Sequence, residues 1–401
     1  MGIATTTVRA VNGLTARWAE SLEGGMVFSA AGVWPLLAHL ADGAAGAARA
    51  ELAEALGLPA GKAADAAREL FAAMGAMRGL DTALALWTTR TLELSKEWEA
   101  GLPADAHGVL TGVPEADQQA LDAWAVKRTG GLIGGMPLTP TEDTQMVLAS
   151  ALALRTRWLS PFREVELETA YEPWATRPRL GLQRSGAVPD RVGVAHTRDG
   201  HVTELKVLGN NAVDVHLLLG EEDMKPGQVL GAGVDMLAGR YAVVPGPRLP
   251  CGNVGPGLRV EKVRCTRPEP PSLKVTTAAY DMNASHDLLK LHHLFGLTTA
   301  RDTSSGHFPG ISGFPLAIGS AQQNTMAKFG ALGFEAAAVT AFEAVAAAGM
   351  PDLRYVTTRI SAAFDRPFGF LALHRHTRLV LTAGWVTDPL PFPEHDWDDE
   401  W

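Results

Sequence analysis

Side chains able to do chemistry are few in this chain of 401 residues, and their spacing does not assemble them. His292 and His293 are neighbours on an expected helix, so they should point to different sides and cannot share a metal ion. His374 and His376 could share a strand face, but no Cys, Asp or third His accompanies them, and solvated turn residues are the simpler account. Cys251 and Cys265 lack the paired spacing of a zinc ribbon and read as two free thiols. The terminal EHDWDDEW carries five acidic residues and could be called a cation site. A flexible terminal tail is the simpler account, with docking of its two tryptophans against the body as a minor alternative. No nucleophile elbow, phosphate loop, HExxH or dinucleotide fingerprint is present. GISG at 310–313 lacks the needed spacing, and GNVGPG at 252–257 precedes no helix that could offer its N-terminus to phosphate. No enzyme, metal or cofactor is expected.

What remains unusual is KFGALGFEAAAVTAFEAVAAAGMP, residues 328–351. Alanine favours helix, yet no capping residue precedes the apolar run and Gly330, Gly333 and Gly349 interrupt both ends. At a period of two, Phe334 and Phe342 share one face while Glu335 and Glu343 share the other. Helix, strand and neither all stay open on local pattern alone.

The elements that would surround this stretch are ordinary. A hydrophobic fraction of 46% and a charged fraction of 20% describe a globular chain with ample core, and a net charge of −9 argues against nucleic acid. No apolar run is long enough to span a membrane, and residues 1–20 show no signal peptide. A cytoplasmic location is the default expectation, with secretion open. Many Ala, Gly and Arg and few Lys point to a GC-rich, bacterial coding sequence. The length favours two domains, yet no linker or repeat divides it. Expected elements are a short strand ending at Ser29, a helix from near Pro35, an amphipathic helix after Gly43 and a strand in DTALALWTTRTLEL. DQQALDAWAVKRTGG should be a helix closed by glycines, TQMVLASALALRTRW a strand buried on both faces, and NNAVDVHLLLG a strand. HDLLKLHHLFGL should be a helix stopped by Gly296, and RPFGFLALHRHTRLVLTAGWVTDP a hairpin turning near His376 to Arg378. Helices first and strands later give a mixed α+β class.

Taken in order, these segments resemble the serpin family of serine protease inhibitors, in the manner of its prokaryotic members, over nearly the whole chain. VFSAAGVWPLLAHLADGAAG is similar to the strand and helix that begin FSPxSI. MVLASALALRTRWLSPF resembles VLVNAIYFKGxWxxPF, with Trp158 and Phe162 at the Trp and Phe. GHFPGIS resembles the FSGI motif, GFEAAAVT the hinge GTEAAAAT, and the terminal hairpin HPFxFxIxxxxTxxILFxGRVxxP.

The resemblance implies one domain of three sheets and eight or nine helices over residues 1–390, with an exposed reactive-centre loop at about 333–352 and an acidic tail at 391–401. It implies a monomer acting on serine proteases of elastase, subtilisin or chymotrypsin type through a covalent acyl complex. The scissile bond would be Ala347–Ala348, and residues 333–347 would then insert as a central strand. The hinge is carried by Gly333, Phe334, Glu335, Ala336, Ala337, Ala338 and Thr340, the breach by Trp158, and the shutter by Ser29, Gly32, Ser150 and Gln323. Gly32, Ser150 and Gln323 depart from the family's shutter Ser, Asn and His; a polar cluster of Ser29, Ser150 and Gln323 is expected to replace them. Phe334 stands where a small residue is usual and should slow the first step of insertion, and Ala331 replaces the usual acid. These two departures leave a non-inhibitory carrier or folding-assistance serpin as the alternative.

Overall fold

The longest apolar run, MVLASALAL, shows how the core is layered. In the computed structural model, which describes residues 2–103, 106–132, 134–136, 140–141, 144–302, 305–334 and 354–393, every residue of this strand (β4, Met146–Leu154) is buried. Leu148, Leu152 and Leu154 enter the main core. Val147, Ala149 and Ala151 face the other way, packing with Leu121 and Ala125 of the helix Pro114–Arg128. A strand covered on both faces reads as continuous hydrophobicity because neither set of alternate side chains meets water.

β4 is central to the largest of three sheets. Its neighbours on one side are β2 (Leu80–Thr89) and then β3 (His107–Leu110). On the other side lie β16 (Ser320–Phe329), parallel to it, and β15 (Tyr280–Asp287), antiparallel to β16. Two short strands, β17 (Gly333–Phe334) and β5 (Thr156–Arg157), complete the sheet at one end. A second sheet runs in the order β1 (Met26–Phe28), β20 (Val380–Val386), β19 (Phe368–His374), β10 (Val213–Leu219), β9 (Gly200–Leu208), β8 (Val192–Thr197) and β11 (Val243–Pro245). The third has β12 (Gly252–Gly255), β13 (Leu258–Cys265), β18 (Tyr355–Phe364), β14 (Ser272–Ala278), β7 (Leu180–Gly186) and β6 (Arg163–Glu166). One apolar cluster from Val8 to Val386 draws side chains from all three.

Nine α-helices are seen among the described residues: α1 (Thr5–Ala19), α2 (Ala30–Gly43), α3 (Gly46–Leu56), α4 (Ala60–Gly75), α5 (Lys96–Ala100), α6 (Pro114–Arg128), α7 (Glu172–Ala175), α8 (Pro226–Leu237) and α9 (His292–Phe295). None is long and apolar enough to cross a membrane. α1 has four threonines and a glycine, poor helix formers, but buries Val8, Val11, Leu14 and Trp18 at helical spacing.

Two expected helix starts are corrected. α2 begins at Ala30 rather than near Pro35, because Ser29 Oγ accepts from Gly32 N–H at 3.1 Å and caps the helix earlier. The helix expected from His286 starts only at His292. Residues up to Asp287 belong to β15, where long-range pairing with β16 overrides local propensity. Gly296 does close that helix, at φ 66°. The terminal hairpin forms as expected from β19 and β20, which pair antiparallel. Beyond it, Phe392 N–H donates to Pro178 O at 3.1 Å, so the first residues of the acidic tail join the body; residues 394–401 lie outside the described residues.

α2 carries His39, which is 4% exposed, with Nε2 unpartnered among the described residues. Burial, assisted by the charge of Arg68, lowers its pKa to about 4. The unfolded chain binds a proton there below about 6.5 while the native protein does not, so stability falls as pH drops from about 6.5 toward 4 and levels off below. The difference amounts to about 3 kcal/mol. Urea midpoints measured across that window should show His39→Gln losing this part of the pH dependence; an unchanged slope would refute the assignment.

Candidate functional site

The parallel pairing of β4 and β16 forms a seam near the middle of the large sheet. Among the described residues it covers six rows, from Ser320↔Val147 to Thr325↔Leu152. Above Thr325, among the described residues, no pairing joins the two strands, and β17 appears between them. Phe334 of β17 lies opposite Phe329 of β16 on one side and Thr156 of β5 on the other. The same offset relates Phe329 to Thr156 and Gln323 to Ser150, so β17 occupies the upward continuation of the seam without a change of register.

The turn from β16 into β17 is held from one side. Trp158 Nε1 donates to Gly330 O at 2.9 Å, Trp158 N–H to Leu332 O at 3.0 Å and Phe162 N–H to Ala331 O at 2.8 Å. The indole lies 4.9 Å from the Phe329 ring. Ala331 is 3% exposed, a place where a carboxylate would lose its water. A Cβ on Gly333 would stand 2.2 Å from Thr156 O, so only glycine lets the chain run this close to β5.

Phe334 is 1% exposed, its ring 6.2 Å from Phe370. Tyr280 stacks between Phe329 and Phe370 at 5.4 and 5.2 Å. Burying a phenylalanine contributes roughly 2–3 kcal/mol. Phe334 is thus seated at the head of the seam, paired with both flanking strands.

At the bottom of the seam sits a polar cluster. Gln323 presents its carboxamide to the backbone of Ser29: Ser29 N–H donates to Gln323 Oε1 at 2.9 Å and Gln323 Nε2 donates to Ser29 O at 2.8 Å. Gln323 Nε2 also donates to Ser150 Oγ of β4 at 3.3 Å. Ser29 Oγ–H donates to Leu381 O of β20 at 2.5 Å. Gly32 completes the packing, for a Cβ there would lie 3.1 Å from Gln323 Nε2 and 3.5 Å from Ser150 Oγ.

Sequence reasoning did not find His286. It is the cross-strand partner of Gln323, 6% exposed, with Nε2 2.7 Å from Val27 O and its ring edge-on to Trp18 at 5.0 Å. Burial lowers its pKa, partly offset by the Val27 carbonyl, so it too is biased toward the neutral form. The usable signal was the strand alternation of YDMNASHD, whose burial alternates up to this histidine.

The remaining candidates gather into no site. Contrary to the expectation for adjacent residues, the His292 and His293 rings lie 3.9 Å apart and both approach Thr298 Oγ1, because α9 is a single turn. His374 bonds Thr377 in the hairpin turn. No group of three metal-ligating side chains occurs among the described residues. Glu335 to Ala338, Thr340, Ala347 and Ala348 lie outside the described residues.

Residues 9–172 match the family model described as serpin, serine protease inhibitor. Similar solved structures agree across the rest. Human thyroxine-binding globulin in complex with thyroxine superposes with a TM-score of 0.73 at 17% identity, covering 96% of this chain and 98% of that one. Mouse protein-Z dependent protease inhibitor gives 0.68 at 14% identity, covering 96% and 97%. A serpin from the trematode Schistosoma haematobium gives 0.66 at 14%, covering 97% and 100%. Over residues 9–172 the chain thus matches the serpin family, and its whole fold is the serpin fold. No curated protein matched the sequence.

In this chain the departures at Gly32, Ser150 and Gln323 form one compact set: the Gln323 amide fills the space a side chain at 32 would need. Gln323→Ala leaves the Ser29 N–H and C=O buried without that partner, at a cost of about 2–4 kcal/mol. Urea unfolding of the native protein should shift to lower concentration by that amount; an unchanged midpoint would show that the cluster does not hold the seam.

Proposed function

We propose that this serpin is a suicide-substrate inhibitor of serine proteases. The observation that carries the reading is the register of β17. Extending that strand down the seam would set Ala336 between Ala327 and Leu154, Ala338 between Thr325 and Leu152, Thr340 between Gln323 and Ser150, and Phe342 between Ala321 and Leu148. Small side chains would thus meet the narrow part of the sheet. A hydroxyl would arrive where Gln323 and Ser150 now bond, supplying a polar partner for groups that separation would leave unpaired.

A protease takes the loop as substrate, and its serine forms an acyl-enzyme with the carbonyl of the residue before the cut. Ala347–Ala348 is the proposed bond. The small Ala347 suits the shallow pockets of elastase-like or subtilisin-like enzymes. Cleavage frees 335–347 from β18, the strand grows from Phe334 downward, and the tethered enzyme is carried along before hydrolysis completes. β4 and β16 must part by one strand spacing, about 4.8 Å, which exchanges six rows of pairing for a longer antiparallel ladder on each side. The native state is then kinetically held above the inserted one. We place the serpin domain at residues 1–390 and treat the protein as a monomer.

Incubation with elastase, subtilisin and chymotrypsin should give an SDS-stable complex with at least one of them. The nicked protein should melt at a much higher temperature, and sequencing of the released fragment should begin at Ala348. Cleavage with neither complex nor stabilisation would overturn inhibition and leave the carrier alternative.

A further inference from the structure

The far end of the loop is attached to β18, and β18 is an interior strand. β14 pairs with it on one side from Ser272↔Arg359 to Thr277↔Phe364. β13 pairs with it on the other over eight rows, from Leu258↔Ala362 to Cys265↔Tyr355. β13 belongs to a hairpin with β12, and that hairpin is fastened to the body. Thr203 Oγ–H of β9 donates to Pro256 O at 2.7 Å, and Ala363 N–H donates to Gly257 O at 2.8 Å. Gly255 lies so close to β8 that a Cβ would stand 2.7 Å from Val194 Cγ2. Leu258 and Val260 are buried beside Ile360 and Ala362, and Lys262 Nζ donates to Thr358 Oγ1 at 2.6 Å.

The two ends of the loop thus belong to different sheets, Phe334 to the large one and Tyr355 to the six-stranded one. An uncut chain that filled the seam down to the row of Met146 would descend about 33 Å with residues 335–344. Residues 345–354 could then span at most about 36 Å, so complete insertion draws the chain taut against the start of β18. Relief requires β18 to peel from its sheet, and here two ladders oppose that instead of one.

We infer that the β12–β13 hairpin is a clamp that keeps β18 in place and denies uncut chain to the seam, so that cleavage is the event that admits the loop. This rests on the insertion reading above. The clamp acts along the whole length of β13 and ends at Tyr355, the residue on which the pull would fall first.

Two variants of the full chain test it. Val260→Asp puts a charge under Ile360 and loosens the ladder. Glu261→Cys/Arg359→Cys, with Cys251 and Cys265 changed to Ser, links two residues that face each other across β13 and β18. Each protein is warmed below its unfolding temperature, and urea-gradient gels follow the appearance of an uncut, urea-resistant monomer. Val260→Asp should convert at least tenfold faster than the parent; a natively folded Val260→Asp converting at the parent rate overturns the clamp. Should Val260→Asp fail to fold, the cysteine pair is compared oxidised and reduced in the Gln323→Ala background. Slower conversion of the oxidised form supports the clamp and equal rates overturn it. Nicking the parent with subtilisin separates this from the underlying reading: a nicked parent that gains no urea resistance refutes insertion itself, whatever the hairpin does.

Discussion

A side-chain amide bonded to a backbone ties the junction of two central strands of the large sheet to the rest of the core. Gln323 meets the N–H and C=O of Ser29 as a second strand would, and its remaining amide hydrogen reaches Ser150 across the seam. Ser29 also caps α2 and bonds β20, so one residue ties a core helix and the second sheet to the junction of β4 and β16. All of these groups are nearly dry, where an unmade hydrogen bond costs more than a made one contributes. The seam is therefore closed by six rows of backbone pairing and, at Gln323 and Ser150, by polar side-chain contacts in an otherwise apolar layer. That makes it a place where the sheet can switch between two arrangements rather than deform gradually.

Above this latch the sheet is already prised apart. β17 fills the wedge between β5 and the end of β16, and Phe334 is buried opposite Phe329 with its ring near Phe370. The bulky residue that looks wrong for a strand that must slide serves as an apolar anchor for one that has begun to form. On the proposed reading its side chain would not have to pass the narrow rows below it, because β17 would grow downward from it. Those rows would be met by Ala336 and Ala338, which have the least to desolvate and the fewest rotamers to lose.

Much of the fold was legible because it rests on periodicity. The continuously buried β4, the hairpin of β19 and β20, the glycine-closed α6 and the mixed class all follow from runs and alternations in the chain. Features set by long-range pairing were not. HDLL has helical spacing, yet β16 takes its histidine and aspartate into a ladder. GNVGPG offered no helix for a phosphate, and its actual role, the turn of a hairpin fastened to β9, depends on partners far away in sequence. The polar cluster was nameable from the family pattern, but the histidine across the ladder from Gln323 was not, because strand register leaves no mark in either segment alone.

The turn at Gly330 to Gly333 has a consequence for how such a chain can diversify. Pinned by Trp158 and Phe162, it is a fixed origin from which every later residue of the loop is counted. The face of a residue depends only on whether its distance from that origin is odd or even. On the proposed function, the bond offered to an enzyme would depend on side chains farther along, beyond the last row the sheet can accept. Recognition and mechanics would then be written in separate stretches of one segment, and substitutions in the distal stretch would redirect the target while the strand-forming half kept its phase.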